Sequence, residues 1–249
     1  MKNVIPAYRI FPLGDAAVTI DFGNVIDETI NCLVIQLFNG FKTNPLPGMI
    51  EAVPAYSSLT IYYDVFEISK TNATGTEYDF ISGQINKRLQ QEQSFINSES
   101  RLISIPVCYE KEFAPDMEYL TEIKKISVDD IVRIHTSKQY RVYMLGFLPG
   151  FSYLGEVNEA ITISRKQQPV TVAAGSVGIA GKQTGIYPLV SPGGWQIIGR
   201  TPLKMFDAEK EEPALLKEGD KVQFISISRN DFIEIRNSPL LWRGFGGEV

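Results

Sequence analysis

The 249-residue sequence predicts an α+β protein with two domains, an α/β sandwich at residues 1–97 and a β-rich domain at residues 98–249. Three observations support this. Strand and helix patterns alternate up to residue 90. Residues 90–100, QQEQSFINSES, are polar and poor in apolar anchors, as expected of a domain boundary. After Lys138, Gly and Pro interrupt short apolar runs at regular intervals, which is typical of a β-barrel or a β-sandwich.

The N-terminal pattern begins with two strand-like stretches, YRIFPLG and AAVTIDFG, on either side of the Gly14-Asp15 turn. An amphipathic helix with Asp27 as its N-cap is predicted next, over DETINCLVIQLFNGF. A hairpin follows, formed by MIEAVPAY and SSLTIYYDVF, and then a second helix, YDFISGQINKRLQQEQ. Strands followed by a helix, a hairpin and a helix predict a small α/β sandwich of the ferredoxin type.

The second domain begins with a predicted strand, RLISIPVCY, and two predicted helices, DMEYLTEIKKI and VDDIVRIHTSK. Ser127 and Asp130 have the spacing of a capping box at the start of the second helix. KEGDKV is predicted as a tight turn into the penultimate strand. The predicted strands after Lys138 are YRVYMLGF, AITIS, PVTVAAG, GIYPLV, WQIIGRT and DKVQFISIS.

Composition and charge exclude several classes of protein. Hydrophobic residues make up 44% and charged residues 21%, which is typical of globular proteins. A net charge of −5 without a basic cluster argues against nucleic-acid binding. The N-terminus lacks a signal-peptide pattern and no window has eighteen apolar residues, so neither export nor a membrane span is expected. Cys32 and Cys108 are predicted to be reduced core thiols of a cytoplasmic protein.

Several catalytic motifs fail on spacing. The stretch GSVGIAGKQTG, residues 175–185, resembles a phosphate loop, but five residues separate Gly175 from Gly181 and Gln183 follows Lys182. There is no G-x-S-x-G nucleophile elbow. The single histidine, His135, and two distant cysteines do not make a structural zinc site, so no metal is expected.

The segment from Tyr140 to Pro202 combines glycines and prolines with aromatic residues, most densely in GFLPGFSYLG at residues 146–155. Apolar walls with a few polar groups are typical of a small-molecule site. The alternative is that these residues form only the turn-rich end of a barrel. The aromatic residues are Phe147, Phe151, Tyr153, Tyr187 and Trp195, and the polar ones are Gln183, Thr184, Ser191 and Arg200.

Long ordered motifs give the chain a family resemblance over essentially its whole length. They are IHTSKQYRVYMLGFLPGFSYLG, AAGSVGIAGKQTGIYPLVSPGGWQIIGRTP, MFD and LLKEGDKVQF, together with the N-terminal LGDAAVTIDFG and GMIEAVPAYSSLTIYYD. In these motifs the chain resembles the KipI/PxpB family, whose members also carry the name allophanate hydrolase subunit 1. The resemblance implies a ferredoxin-like N-terminal domain and a cyclophilin-like C-terminal β-barrel, without implying prolyl isomerase activity.

The resemblance implies two functions of different classes. PxpB-like proteins act with PxpA-like and KipA/PxpC-like subunits as an ATP-dependent 5-oxoprolinase, which opens the lactam of 5-oxoproline to glutamate after activation of the ring carbonyl. The location of ATP in the complex is left open. KipI-like proteins instead bind a sporulation histidine kinase and inhibit its autophosphorylation. An elaborate pocket favours the enzyme subunit, which is expected to be inactive without its partners.

With the resemblance added, three residues are predicted to be catalytic: His135, Gln183 and Arg200. Arg200 has the chemistry to pair with a carboxylate or phosphate, and its alternative is a surface ion pair. His135 lies on a predicted helix, and the alternative to a catalytic role is that it packs as a structural residue. A wider group is predicted to bind the substrate, namely Phe147, Pro149, Gly150, Phe151, Tyr187, Gly193, Gly194 and Trp195.

Overall fold

A computed structural model describes residues 5–71, 75–91 and 100–238. The chain divides into two compact units, Met1–Glu99 and Ser100–Val249. The predicted boundary between residues 97 and 98 lies outside the described residues. In the described ranges, no helix is both long enough and apolar enough to span a membrane.

The N-terminal unit is a four-stranded antiparallel sheet with the strand order β1-β2-β4-β3 and associated helices. The predicted helix after the first strand pair is confirmed, and the Asp27 side chain accepts a hydrogen bond from the backbone N–H of Ile30 at 2.9 Å. The elements are β1 (Arg9–Pro12), β2 (Ala17–Asp21), α1 (Glu28–Thr43), β3 (Met49–Pro54), β4 (Ser58–Tyr63), α2 (Val65–Thr71) and α3 (Glu77–Gln91).

Two features of this unit differ from the sequence prediction. Helix α2 occupies residues that the sequence pattern assigns to the end of a strand. The helix begins there because the Asp64 carboxylate accepts the backbone N–H groups of Phe66 and Glu67, at 2.9 and 3.1 Å, as an N-cap does. The ferredoxin-like sandwich is not confirmed, because the element order is ββαββαα rather than βαββαβ.

The C-terminal unit contains a barrel, an additional two-stranded ribbon and short helices. Its elements in chain order are β5 (Leu102–Cys108), α4 (Met117–Lys124), α5 (Val128–Thr136), β6 (Gln139–Leu145), β7 (Ser152–Gly155), a 3₁₀ turn (Glu159–Ile161), β8 (Val170–Val172), β9 (Ser176–Ala180), β10 (Gln183–Ile186), β11 (Ser191–Gly193), β12 (Gln196–Arg200), β13 (Lys221–Ile227) and α6 (Arg229–Asn237).

Within the described residues, seven strands close into a barrel in the order β10-β7-β6-β13-β5-β12-β9. Strands β5 and β13 pair in parallel, and the other barrel pairs are antiparallel. Strands β8 and β11 form the ribbon outside the barrel. The predicted barrel is thus confirmed, whereas its cyclophilin-like character stays a prediction.

The barrel interior is filled by apolar side chains that recur at every second strand residue, the period at which side chains share one face of a strand. On β5 these are Ile103, Ile105 and Val107, all 6% exposed or less. Packing such residues is the main stabilising contribution of this unit, because each buried aliphatic side chain contributes about 1.5–3 kcal/mol. Other strands add Val142, Leu154, Val177, Ile179, Ile198, Val222 and Phe224.

Three local predictions in the second unit are wrong. AITIS forms a 3₁₀ turn and a single bridge from Ile163 to Gly181 rather than a strand. GIYPLV leaves the barrel after Ile186. In the described residues up to 238, β13 is followed by α6 and not by another strand. The rejection of a phosphate loop, in contrast, is consistent with the structure, because residues 176–186 form the β9–β10 hairpin with Gly181 at φ +59° in its turn.

Candidate functional site

A cleft of about 520 Å³ lies in the barrel unit, beside the β8–β11 ribbon. It is formed by the loop between β6 and β7, by the segment that leads into β8, and by the residues around β11. Five of its lining residues are the aromatic residues that the sequence places in a binding site: Phe147, Phe151, Tyr153, Tyr187 and Trp195.

Phe151 is the centre of the aromatic wall. Its ring centroid lies 4.8 Å from that of Tyr153, 5.0 Å from Tyr187 and 5.4 Å from Trp195, and all three pairs are edge-to-face. Edge-to-face pairs fix the orientation of aromatic rings beyond what burial does. Because Phe151, Tyr187 and Trp195 are at most 4% exposed, this wall is a rigid surface against which a flat or apolar ligand can pack.

The loop GFLPGF, residues 146–151, carries an aromatic side chain into solvent at the edge of the cleft. Phe147 has φ +68°, and the Leu148 N–H donates to the Gly146 carbonyl at 2.8 Å, so these three residues form a γ-turn. A left-handed backbone is unfavourable for a bulky residue. Phe147 is nevertheless 62% exposed, so burial of its ring does not offset the strain.

Gly193 allows the ribbon to approach the aromatic wall. A Cβ atom at this position would lie 2.5 Å from the Tyr187 hydroxyl oxygen and 2.7 Å from its ring. Burial raises the pKa of Tyr187, so the Tyr187 hydroxyl stays protonated. The oxygen of this hydroxyl accepts a hydrogen bond from the Trp195 backbone. Gly193 and Gly194 both line the cleft, but only Gly193 is sterically required, since a Cβ at Gly194 would have 3.8 Å to its nearest neighbour.

Two basic residues, Arg165 and Lys166, also line the cleft. The Lys166 ammonium lies 2.5 Å from the Asp116 carboxylate, and the same carboxylate accepts the Ile197 N–H at 2.6 Å. The Arg165 guanidinium lies 5.8 Å from the centroid of Trp195, within cation–π range. The sequence prediction does not include either residue in the site. The only sequence signal for them is that Arg and Lys are adjacent within the region that Pro and Gly interrupt.

A serine hydroxyl adds a polar atom to the ribbon side of the cleft. Ser191 lines the cleft, and its Oγ is buried without a hydrogen-bond partner among the described residues. An unpaired buried hydroxyl costs about 1–3 kcal/mol, so the local packing is not the most stable one that this segment could adopt. In the same described part of the chain, no group of three His, Cys, Asp or Glu residues is placed to hold a metal ion.

His135 lies outside the cleft, in the interior of the barrel. It is fully buried, and its ring is stacked on Phe224 with a centroid distance of 4.5 Å. The Thr184 hydroxyl is 3.0 Å from both the Gly178 carbonyl and His135 Nε2. Because Thr184 has one proton to donate and gives it to that carbonyl, Nε2–H donates to Thr184. His135 Nδ1 then accepts the Tyr109 hydroxyl proton at 2.8 Å.

The other two predicted catalytic residues also lie away from the cleft lining. Gln183 begins β10, the strand that leads to Tyr187, and four residues of strand span about 13 Å. Arg200 ends β12, five residues after Trp195, and its Nε donates to the Ala174 carbonyl at 2.7 Å. Burial lowers the pKa of Arg200, and Arg236 adds to the effect.

Two predicted substrate-binding residues shape the loop rather than line the cleft. Pro149 and Gly150 are absent from the lining, whereas Phe147, Leu148 and Phe151 from the same loop are part of it. Gly150 has φ +81°, and a Cβ there would approach Phe206 Cβ to 2.9 Å. This glycine therefore allows the loop to turn against the neighbouring segment.

A largely aromatic cleft with a few polar and charged groups has the composition that is typical of a small-molecule site. Residues 8–216 match the family described as "Carboxyltransferase domain, subdomain C and D". The chain therefore belongs to this family, which includes the PxpB/KipI proteins that the sequence motifs indicate.

Relatives of known name or structure extend over most of the chain. It is 42% identical over 228 residues to the B-type subunit of 5-oxoprolinase from Bacillus subtilis (strain 168), a match that covers 90% of this chain and 95% of the relative. Its structure is similar to that of the conserved uncharacterized protein PH0987 of Pyrococcus horikoshii, with 43% identity, TM-score 0.52 and coverage of 90% and 100%. TTHA0988 gives 33% identity, TM-score 0.72 and 85% coverage of this chain, which spans 40% of that longer protein.

Proposed function

We propose that the chain is the B-type subunit of an ATP-dependent 5-oxoprolinase that converts 5-oxoproline to glutamate. The observation that carries this proposal is the 42% identity to the corresponding 5-oxoprolinase subunit of Bacillus subtilis, which extends over 95% of that relative. The partners in this proposal are PxpA-like and KipA/PxpC-like subunits. An assembly of several chains is supported because the relative is itself one of the subunits of its enzyme.

In this proposal the cleft receives the lactam. The rigid wall around Phe151 packs against the ring and excludes water from one of its faces, while Phe147 covers the ring from the mouth of the cleft. Excluding water strengthens electrostatic contacts with the ligand and protects an activated carbonyl from unproductive reactions. Pro149 and Gly150 act indirectly, because they set the shape of the loop that carries Phe147.

Neither the glycine-rich stretch nor the cleft of this chain fits ATP. The glycine-rich stretch that resembles a phosphate loop is the β9–β10 hairpin, so its backbone amides belong to a strand ladder rather than to a phosphate cradle. The cleft supplies two cations, of which Lys166 is already paired with Asp116. We therefore place the nucleotide on a partner subunit, and expect the isolated chain to be inactive.

Reconstitution tests this function directly. The full chain is combined with its PxpA-like and KipA/PxpC-like partners, and glutamate formation from 5-oxoproline is followed with and without ATP. We expect ATP-dependent turnover from the three-subunit mixture and none from any mixture that lacks this chain. Absence of glutamate from the complete mixture contradicts the proposed reaction, and turnover by this chain without partners contradicts the division of labour.

The regulatory alternative, inhibition of a sporulation-type histidine kinase, stays a prediction from the sequence resemblance.

A further inference from the structure

The charge on the cleft lining is one-sided. Its cations are Arg165 and Lys166, and none of the described lining residues is Asp or Glu. Lys166 is compensated because it pairs with Asp116, and both side chains are less than one fifth exposed. In the part of the chain that the structure describes, the Arg165 guanidinium has neither an ion pair nor a hydrogen bond. Arg165 therefore gives the cleft an uncompensated positive charge.

The backbone around Arg165 is fixed next to the aromatic wall. The Lys166 N–H donates to the Gly194 carbonyl at 2.7 Å, and the Gln196 side-chain amide donates to the Ser164 carbonyl at 3.1 Å. These two hydrogen bonds lie on either side of Arg165, opposite Trp195. The backbone at Arg165 is therefore anchored opposite Trp195, and its exposed guanidinium lies within cation–π range of the Trp195 ring.

The field of Arg165 reaches the floor of the cleft. Burial raises the pKa values of Tyr153 and Tyr187, and the charge of Arg165 opposes this rise at both residues. Arg165 is exposed, so water partly screens an ionic contact made here. An anion that enters the cleft is attracted toward Arg165, which lies beside Trp195.

We infer that Arg165 binds the carboxylate of a small ring-containing monoanion whose ring packs against Phe151 and Trp195. A guanidinium presents paired N–H donors that match the two oxygens of a carboxylate. A triphosphate requires more positive charge than one arginine supplies. This inference rests on the proposed function in one respect, the choice of 5-oxoproline as the monoanion. In this inference, Arg165 is a residue that determines substrate specificity.

The first test compares an acid with its neutral counterpart. The reconstituted complex carrying Arg165→Gln is assayed with 5-oxoproline, and 2-pyrrolidone, the same lactam without the carboxylate, is used as an inhibitor. We expect the KM for 5-oxoproline to rise about 10-fold, the value for a lost charge-assisted hydrogen bond at a partly exposed site. The inhibition constant of 2-pyrrolidone and the KM for ATP should stay unchanged, and Arg165→Lys should recover part of the loss.

A control variant distinguishes the loss of the cleft arginine from the loss of a positive charge elsewhere on the protein. Arg133→Gln removes an exposed arginine on α5 that pairs with Asp130 and does not line the cleft. We expect wild-type KM values from this control. An unchanged KM for 5-oxoproline in Arg165→Gln overturns the inference, and so does an equal loss of affinity for the acid and for 2-pyrrolidone.

A second test uses the full chain without its partners, so that it does not depend on turnover. Cyclopentanecarboxylate and cyclopentanemethanol are titrated into the chain while the signals of the cleft aromatic rings are followed by NMR. We expect the carboxylate to bind more tightly than the alcohol, and Arg165→Gln to remove this preference. Failure of glutamate formation in the complex refutes the proposed function, whereas absence of a carboxylate preference in the wild-type chain refutes the role of Arg165.

Discussion

The interior of the barrel and the cleft beside it both combine aromatic rings with polar groups, but they satisfy those groups differently. Around His135 three polar side chains are paired, because Tyr109, the imidazole and Thr184 form a chain of hydrogen bonds that ends at the Gly178 carbonyl. In the cleft, the Arg165 guanidinium has no ion pair or hydrogen bond within the described chain, and the aromatic Phe147 side chain is exposed on a strained turn.

This difference favours a structural role for the polar cluster around His135 and fits the binding role proposed for the cleft. A buried polar network whose members are all satisfied contributes to a unique fold and offers no free group to a ligand. A concave wall with unsatisfied charge and exposed aromatic surface gains free energy when a complementary ligand binds. The contrast predicts that substitutions in the barrel interior act on stability, and that substitutions in the cleft act on binding.

The largest expected effect is on the barrel interior. His135→Ala should lower the free energy of unfolding by about 3–5 kcal/mol, because it leaves a cavity against Phe224 and removes the partner of two buried hydroxyls. Urea denaturation of the full chain measures this change. Arg133→Ala, on the same helix but exposed, should change stability by less than about 0.5 kcal/mol. Lost activity with unchanged stability would instead assign His135 a catalytic role.

Within the cleft, two adjacent glycines give a matched comparison. Gly193→Ala should cost about 1–3 kcal/mol of stability, since its Cβ forces the buried Tyr187 ring to move. Gly194→Ala should be tolerated, because the nearest atom to its Cβ is 3.8 Å away. Thermal unfolding measures the change in stability, and the KM for 5-oxoproline measures the change in substrate binding. Equal stability of the two variants would show that the ribbon is not packed against Tyr187.

The pH dependence of stability should also report the interior. Burial lowers the pKa of His135 from 6.5 to about 3, so between these values the unfolded chain binds a proton that the folded chain does not. Stability is fully present above pH 6.5, and should fall by about 1.4 kcal/mol for each pH unit below it. His135 is the single histidine, so the slope between pH 6.5 and 5 is its signature. A flat profile there contradicts burial of a neutral imidazole.

The sequence predicts well those features that depend on local pattern. Helix α1 and its Asp27 cap follow from apolar spacing and one side chain, and α5 begins at Val128 after its N-cap Ser127, as the S-x-x-D signal predicts. Helix α6 has the same signal at Ser228 and Asp231, whose capping box is formed in the structure. The sequence prediction misses α6 because the strand-rich pattern before it favours a further strand. Asp64 is a comparable signal for α2 that the strand pattern obscures.

The parts of the site that the sequence does not predict depend on long-range contacts. Aromatic residues near Gly and Pro identify the cleft wall, since that combination is unusual in both strands and ordinary loops. Arg165 is brought to the cleft by hydrogen bonds of its two chain neighbours, Ser164 and Lys166, to residues about thirty positions later in the chain. His135 is hydrogen-bonded to Tyr109 and Thr184, which lie in separate strands or loops. Local residue spacing does not encode either set of partners.

A small stabilising effect is expected at Phe147, a bulky residue with a left-handed backbone. Phe147→Gly relieves a left-handed conformation, a gain of about 1–2 kcal/mol, and increases the entropy of the unfolded chain, a loss of about 0.4–1 kcal/mol. The net change should therefore be under about 1.5 kcal/mol and stabilising. The same variant should raise the KM for 5-oxoproline, because the ring that covers the cleft is gone. Phe151→Ala, which removes a ring that is 1% exposed, should cost about 3–5 kcal/mol. If Phe147→Gly is destabilised as strongly as Phe151→Ala, the Phe147 ring contributes to the stability of the fold. The contrast between a barrel interior that acts on stability and a cleft that acts on binding would then not hold at the mouth of the cleft.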